Sequence, residues 1–496
     1  MSDVALEPSI ADPEPFGGEI PMDGPGAPAT ESAVFGGLFS AGRRALTAGL
    51  VTTVTLIAFE ALAISTVMPV VAGELGGLDL YGWVFSMFFL GSLVGIVVVG
   101  GLIDRGGLIL PLAAGLGLFS IGLAVGGLAP SMPVLVAGRL FQGLGAGAIF
   151  PIAYVSIGRA LPEELRPPMF AVLSTAWVLP GVIGPAIAGV IAEHTSWRAV
   201  FLGLLPLIAL AAVVTLPAIR AAVPSGAETN RGETSGSAET EMRRRLPLAL
   251  VLALGAALLL AGLASGTLVP GGPVALGGIL LVLPTFRRLT PAGTLRAARG
   301  LPAAVLLRGV LTFAFFCTDA YVTLALQHWR GLSPSVAGIA LTGATLSWAA
   351  GAWVQARRFE ALGARRLVRS GFAVVVVGIA GFALVLVPAV PVVMGLAAWT
   401  VAGFGMGLAF APLSLTVLRE AAPGGVGAAA SGLQLSDVLG TALGTGVGGV
   451  LVAIGARAGL DPWVGLLGAF AVSAAVGLIG LAVAGRLDGH RARGIG

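Results

Sequence analysis

The chain has 496 residues, of which 56% are hydrophobic and only 10% charged, with 76 glycines besides, where soluble domains carry about 25% charged residues. So little polarity over such a length cannot furnish a water-facing surface, which excludes a soluble fold and makes lipid the solvent for most of the chain. The net charge of +4 comes with 28 basic residues that are all arginine, one cysteine, Cys317, and three histidines well apart in sequence, so an intramolecular disulfide is excluded and no metal-ligand spacing is present.

Residues 1–44 are rich in proline, glycine and acids and lack the basic start of a signal peptide. They read as a disordered cytoplasmic tail. Apolar runs long enough to cross a bilayer then recur, at 46–71, 81–103, 108–129, 132–157, 169–193 and 199–219. A polar stretch follows, then two runs at 246–266 and 271–286, and then six more at 304–327, 335–356, 367–388, 392–417, 428–455 and 463–485. The expected fold is all-α and polytopic, with 14 spans. It divides into a six-helix bundle over 45–220, a cytoplasmic linker with two extra transmembrane helices over 221–300, a second six-helix bundle over 301–486, and a cytoplasmic tail at 487–496.

Positive charge collects in cytoplasmic loops. With the N-terminus inside, every arginine falls in or beside a cytoplasmic segment except Arg198, Arg330 and Arg457, which fall outside, and Arg139, which lies within a span. Both termini are therefore expected in the cytoplasm. The arginine-only, Ala-, Gly- and Val-rich composition suggests a GC-rich bacterial source, and so a multi-pass protein of the bacterial inner membrane. The same topology explains the high isoelectric point without nucleic acid.

The two sets of six match at an offset near 260 residues. G-L-G-A-G-A-I-F-P at 143–151 returns as G-F-G-M-G-L-A-F-A-P at 403–412, and Glu60 has Asp319 as its counterpart. Six-helix halves repeated in one orientation suit a transporter that rocks about a central site.

Three motifs add chemistry. The loop between spans two and three reads G-G-L-I-D-R-G-G at 100–107, and span four carries Arg139-x-x-Gln142-Gly143-x-Gly145-x-Gly147. Span five reads P-G-V-I-G-P-A-I-A-G at 180–189. Together they resemble the major facilitator superfamily, in particular its 14-span drug:proton antiporter branch. The resemblance implies a gating loop at Gly100, Asp104, Arg105 and Gly107, although the usual basic pair after it is replaced by Leu108 and Ile109. It implies an antiporter motif at Gly181, Gly184, Pro185 and Gly189, which marks exporters, and it makes Arg139 a modulator of proton or substrate binding.

Three acids lie inside spans: Glu60, Asp319 and Asp437. Glu60 is roughly 20 Å from either end of its span, too deep for its short side chain to snorkel, so it faces protein or water. A carboxyl there that gains and loses a proton is what proton coupling needs. Each of the three can carry a proton, bind a cationic substrate or form a fixed polar contact. Gln142, Trp177, Phe150, Trp399, Phe410 and Gln434 are the expected cavity lining, since positions polar in one half are aromatic in the other, and such a lining suits amphiphilic or cationic molecules. The expected function is proton-coupled export of small amphiphilic or cationic organic compounds by a monomer, with substrate, protons and bilayer as partners and with no cofactor, metal or enzymatic activity. Export of lipid or cell-envelope components is the alternative.

Overall fold

A computed structural model describes residues 37–40, 42–222, 234–267, 269–422 and 425–487. The N-terminal tail expected at 1–44 and the C-terminal tail at 487–496 lie almost wholly outside the described residues. With no water to bond to, backbone groups in hydrocarbon must pair within their own segment, and the described chain is helical throughout its apolar runs.

The spans are α1 (Arg44–Leu75), α2 (Tyr81–Gly106), α3 (Ile109–Gly127), α4 (Met132–Ala160), α5 (Arg166–His194), α6 (Trp197–Ala222), α7 (Thr234–Ala264), α8 (Gly271–Leu289) and α9 (Leu301–Trp329). A continuous helical run, Pro334–Leu386, follows, and then α12 (Val392–Glu420), α13 (Val426–Arg457) and α14 (Pro462–Leu487). The Pro334–Leu386 run has 53 residues, roughly 80 Å of helix, more than twice the about 30 Å of bilayer hydrocarbon. It turns at Gly363, whose φ of 71° and ψ of 163° are non-helical, and so forms two spans, α10 (334–362) and α11 (364–386). Fourteen spans result among the described residues. Gly107, between α2 and α3, adopts a similar conformation, φ 112° and ψ 179°, at the equivalent corner of the first half. Proline opens α4, α5, α9, α10 and α14 in their first turns, where its missing N–H has no partner to lose.

The sequence repeat is a packing repeat. On α4, a Cβ at Gly143 would collide with the backbone of Phe88 and one at Gly147 with that of Ser92, both on α2, while Gly145 meets Gly115 and Phe119 of α3. On α12, Gly403 meets Ala344 and Gly407 meets Trp348, both on α10, while Gly405 meets Gly371 and Val375 of α11. Small residues let these backbones touch, which replaces the hydrophobic driving force that lipid removes.

Two of the seams that join the halves, α2 against α13 and α5 against α10, are related by the repeat. Along the first, Gly82 meets Gly449, and Ser86 Oγ donates to Ala442 O at 2.8 Å and lies 3.1 Å from Thr445 Oγ1. Along the second, Gly189 meets Ser335, Pro185 meets Gly338 and Gly181 meets Thr345, while the Ser335 N–H donates to Glu193 at 2.7 Å. All these contacts lie toward the end of the bundle that carries Asp79 and Glu193. One turn past Gly181 on the same face of α5, Trp177 is 42% exposed, and two turns past Thr345 on α10, Trp353 is 57% exposed. The halves therefore part toward the end that carries Gly107 and Gly363, leaving a central cleft open there.

The extra pair, α7 and α8, forms a hairpin whose first helix packs on both α2 and α13. Ala249, Leu252 and Ala256 are buried between Leu90 and Leu93 of α2 and Leu435, Val438 and Leu439 of α13. The hairpin stands outside the cleft and spans the seam between the halves.

Candidate functional site

Two helices bring Glu60, Arg139 and Gln142 into one cluster at the head of the cleft. Arg139 and Gln142 are one turn apart on α4, and both reach across to Glu60 on α1. Arg139 forms an ion pair with Glu60 Oε1 and donates to Gln142 Oε1 at 3.0 Å, and Gln142 Nε2 donates to the same Glu60 oxygen at 3.0 Å. Arg139 Nε donates to Val84 O at 3.1 Å, and its guanidinium lies 4.4 Å from the Phe88 ring centroid. Exposure is 1% for Glu60 and 2% for Arg139, and Glu60 Oε2 has no hydrogen-bond partner.

Among the described residues, the repeat-related site in the second half has an acid without a base. Asp319 on α9 lies beside Trp399 of α12, the counterpart of Arg139, whose indole Nε1 is buried without a hydrogen-bond partner. Trp399 is fully buried and stacks on Phe315 with centroids 4.9 Å apart. Trp399 and Gln142, both expected on the cavity wall, carry no exposed surface in this state.

Asp437 sits apart from Glu60 and Asp319, nearer the open end, and it has a partner that sequence reasoning missed. Arg308 on α9 donates from Nε to Asp437 Oδ2 at 3.3 Å, from Nη1 to Phe410 O at 2.5 Å and from Nη2 to Ser414 Oγ at 3.0 Å. Its guanidinium carbon lies 3.3 Å from the Phe410 ring centroid. Arg308 counts among arginines beside a cytoplasmic end, yet it is 5% exposed. The available signal was its place about one turn inside the apolar run at 304–327.

Phe150 and Trp177 stack with centroids 5.8 Å apart and rings inclined by 18°, and Gln434 is exposed one turn before Asp437. Of the antiporter motif, Gly181, Pro185 and Gly189 build the α5·α10 seam, while Gly184 faces Phe59 of α1. Of the loop motif, Gly107 makes the corner and Gly100 faces open space. The side chains of Asp104 and Arg105 lie outside the described residues.

A bilayer-spanning bundle of two repeated halves, enclosing a cleft with buried ion pairs and aromatic walls, defines a membrane transporter. The chain belongs to the Major Facilitator Superfamily, whose family model matches residues 48–306. It is 29% identical over 436 residues to a probable multidrug-efflux transporter of Mycobacterium tuberculosis (strain ATCC 25618 / H37Rv), covering 85% of this chain and 90% of that protein. Multidrug resistance protein 3 of Bacillus subtilis (strain 168) is 31% identical over 153 residues, covering 31% of this chain and 30% of that one. Among solved structures, a peptide transporter POT in complex with sulfate aligns with a TM-score of 0.61 at 16% identity, covering 89% of this chain and 94% of that one. A bacterial homologue of the human lysosomal transporter Spinster, in an inward-facing and occupied conformation, aligns with a TM-score of 0.60 at 16% identity, covering 89% and 96%.

Proposed function

We propose that the protein is a proton-coupled antiporter that exports small amphiphilic or cationic organic compounds across the bacterial inner membrane. In this reading the bundles at 45–220 and 301–486 rock about the cleft as a monomer, with 221–300 as an insert and both termini in the cytoplasm. The open end of the cleft then faces the cytoplasm, and the closed seams lie outside.

The observation that carries the reading is the asymmetry at Glu60. Both donors converge on Oε1, while Oε2 is buried with no partner. A buried oxygen with unmet bonding capacity is costly, and a proton on it gives the carboxyl a form that burial tolerates. Protonation also loosens the hold of Arg139, so one proton can change how α1 and α4 bind each other. Asp319, repeat-related and beside the neutral Trp399, is a second acid able to take a proton. The multidrug-efflux name of one relative and the multidrug-resistance name of another support the direction and substrate class.

The test is transport in proteoliposomes under an imposed pH gradient, with a cationic dye as substrate. Dye movement should be driven by the gradient, collapse with a protonophore, and be lost in Glu60→Gln. Gradient-driven dye transport that persists in a Glu60→Gln, Asp319→Asn double variant would sink the mechanism.

A further inference from the structure

We propose that Thr323 and Gln327 are positioning residues that hold shut the outer path to Asp319, by clamping α9 onto main-chain carbonyls of α1. The inference rests on the rocking motion of the export reading above, and it names the bonds such a motion must break before outside water reaches this acid.

Asp319, Thr323 and Gln327 recur every four residues along α9 and so share one stripe of it. Asp319, at the inner end of the stripe, is partly exposed, whereas Thr323 is fully buried. Both residues beyond the acid reach across to the first half. Thr323 Oγ1 donates to Ser65 O, and Gln327 Nε2 donates to Thr66 O at 2.8 Å. Beside them Tyr81, at the start of α2, donates to Ala320 O at 3.4 Å, and its ring lies 5.5 Å from that of Tyr321.

A proline supplies the acceptor. A helical carbonyl is normally taken by the N–H four residues on, but for Ser65 that residue is Pro69, inside α1, which has no N–H to give. Ser65 is buried, so its carbonyl would carry the cost of an unmet bond, and Thr323 meets it from the other half. The donors are equally particular to α9. By the offset that relates Glu60 to Asp319, their counterparts on α1 are Ile64 and Met68, which donate nothing from their side chains. The clamp is therefore one-sided although the halves repeat.

The outer end of α9 is fixed in its own half. It widens into a π turn at Ala325–Trp329, where the Arg330 N–H donates to Ala325 O. Trp329 Nε1 then donates to Leu386 O, and Arg330 donates to the carbonyls of Val385 and Val387, at the turn between α11 and α12. When the halves part on this side, α9 moves with its own bundle, and the bonds that give way are those to Ser65 and Thr66. Their carbonyls exchange a protein donor for water, and the ionisable group that this water meets along the stripe is Asp319.

The test uses full-length protein in lipid nanodiscs, with spin labels on Gly73→Cys of the first half and Ala458→Cys of the second, both exposed at the outer end, and reads their separation by pulsed electron resonance. Cys317 is buried, and protein without the added cysteines checks that it takes no label. Thr323→Val and Gln327→Met should each lower the closed-to-open ratio about fivefold, the scale of one net hydrogen bond, while Thr323→Ser keeps the wild-type distribution. Thr318→Val is the control. Thr318 Oγ1 donates to Ser473 Oγ at 2.8 Å within the second half, so its loss should lower the unfolding temperature and leave the label separation alone. A wild-type distribution in the folded Thr323→Val, Gln327→Met double variant overturns the inference. So does an equal shift in Thr318→Val, or a wild type whose labels already stand apart. The expected shift in a protein that moves no dye along a proton gradient overturns the export reading and leaves the clamp standing.

Discussion

Arg139 engages Glu60 through one carboxylate oxygen and leaves the other buried and unpartnered. Charge neutralisation and hydrogen bonding are thereby concentrated on one side of the carboxyl, so the two residues should behave as a unit under mutation. Glu60→Gln strands a buried guanidinium and Arg139→Met strands a buried carboxylate, each costing about 3–5 kcal/mol. The double variant should lose less than the sum of the singles, with a coupling of about 1–3 kcal/mol. Thermal unfolding of the four proteins in one detergent measures it, and strict additivity would contradict the pairing.

The glycines of α4 make a sharper distinction than composition does. Gly143→Ala places a methyl against the Phe88 backbone and should cost about 1–3 kcal/mol. Gly117 on α3 has open space around it, so Gly117→Ala should be neutral or stabilise by about 0.5–1 kcal/mol through helix propensity. Unfolding temperatures that move together would contradict the packing described.

A third expectation concerns the α2·α13 seam. Ser86 and Thr445 bring their side-chain oxygens to 3.1 Å, within the reach of a disulfide between cysteines there. Ser86→Cys with Thr445→Cys should cross-link under mild oxidant, arrest transport and recover with reductant. Full transport by the oxidised, verifiably cross-linked protein would mean that this seam never opens.

At the α10–α11 corner, Gly363 holds a φ of 71° with an extended ψ, a region that side chains disfavour. Gly363→Ala should lower the unfolding free energy by about 1–3 kcal/mol, again read by thermal unfolding. An unchanged transition would place the turn elsewhere.

The spans were legible because hydrocarbon leaves so few backbone solutions: an apolar run of some twenty residues must be helix, and the arginines bracket it. The repeat was legible too, and the glycines at 143, 145 and 147 lie where close packing onto α2 and α3 demands them. Pairing was not. Glu60 and Arg139 stand out individually as buried charges, but 79 residues separate them, and sequence periodicity relates positions only within one helix. Arg308 escaped because its neighbours in sequence are cytoplasmic arginines, and only the neighbour in space, Asp437, reveals its role. The link between Asp319 and Trp399 follows from the repeat combined with the first-half pair, since Trp399 stands where Arg139 would be.

The α7–α8 hairpin makes the two slots between the halves unlike. Among the described residues its partners are α2 and α13, so protein roofs that slot, while α5 and α10 meet on the opposite side of the cleft. A molecule dissolved among acyl chains thus finds one flank of the cleft shuttered. Any sideways entry from the membrane is confined to the Trp177 flank, where the aromatic rings would be the first surface it meets.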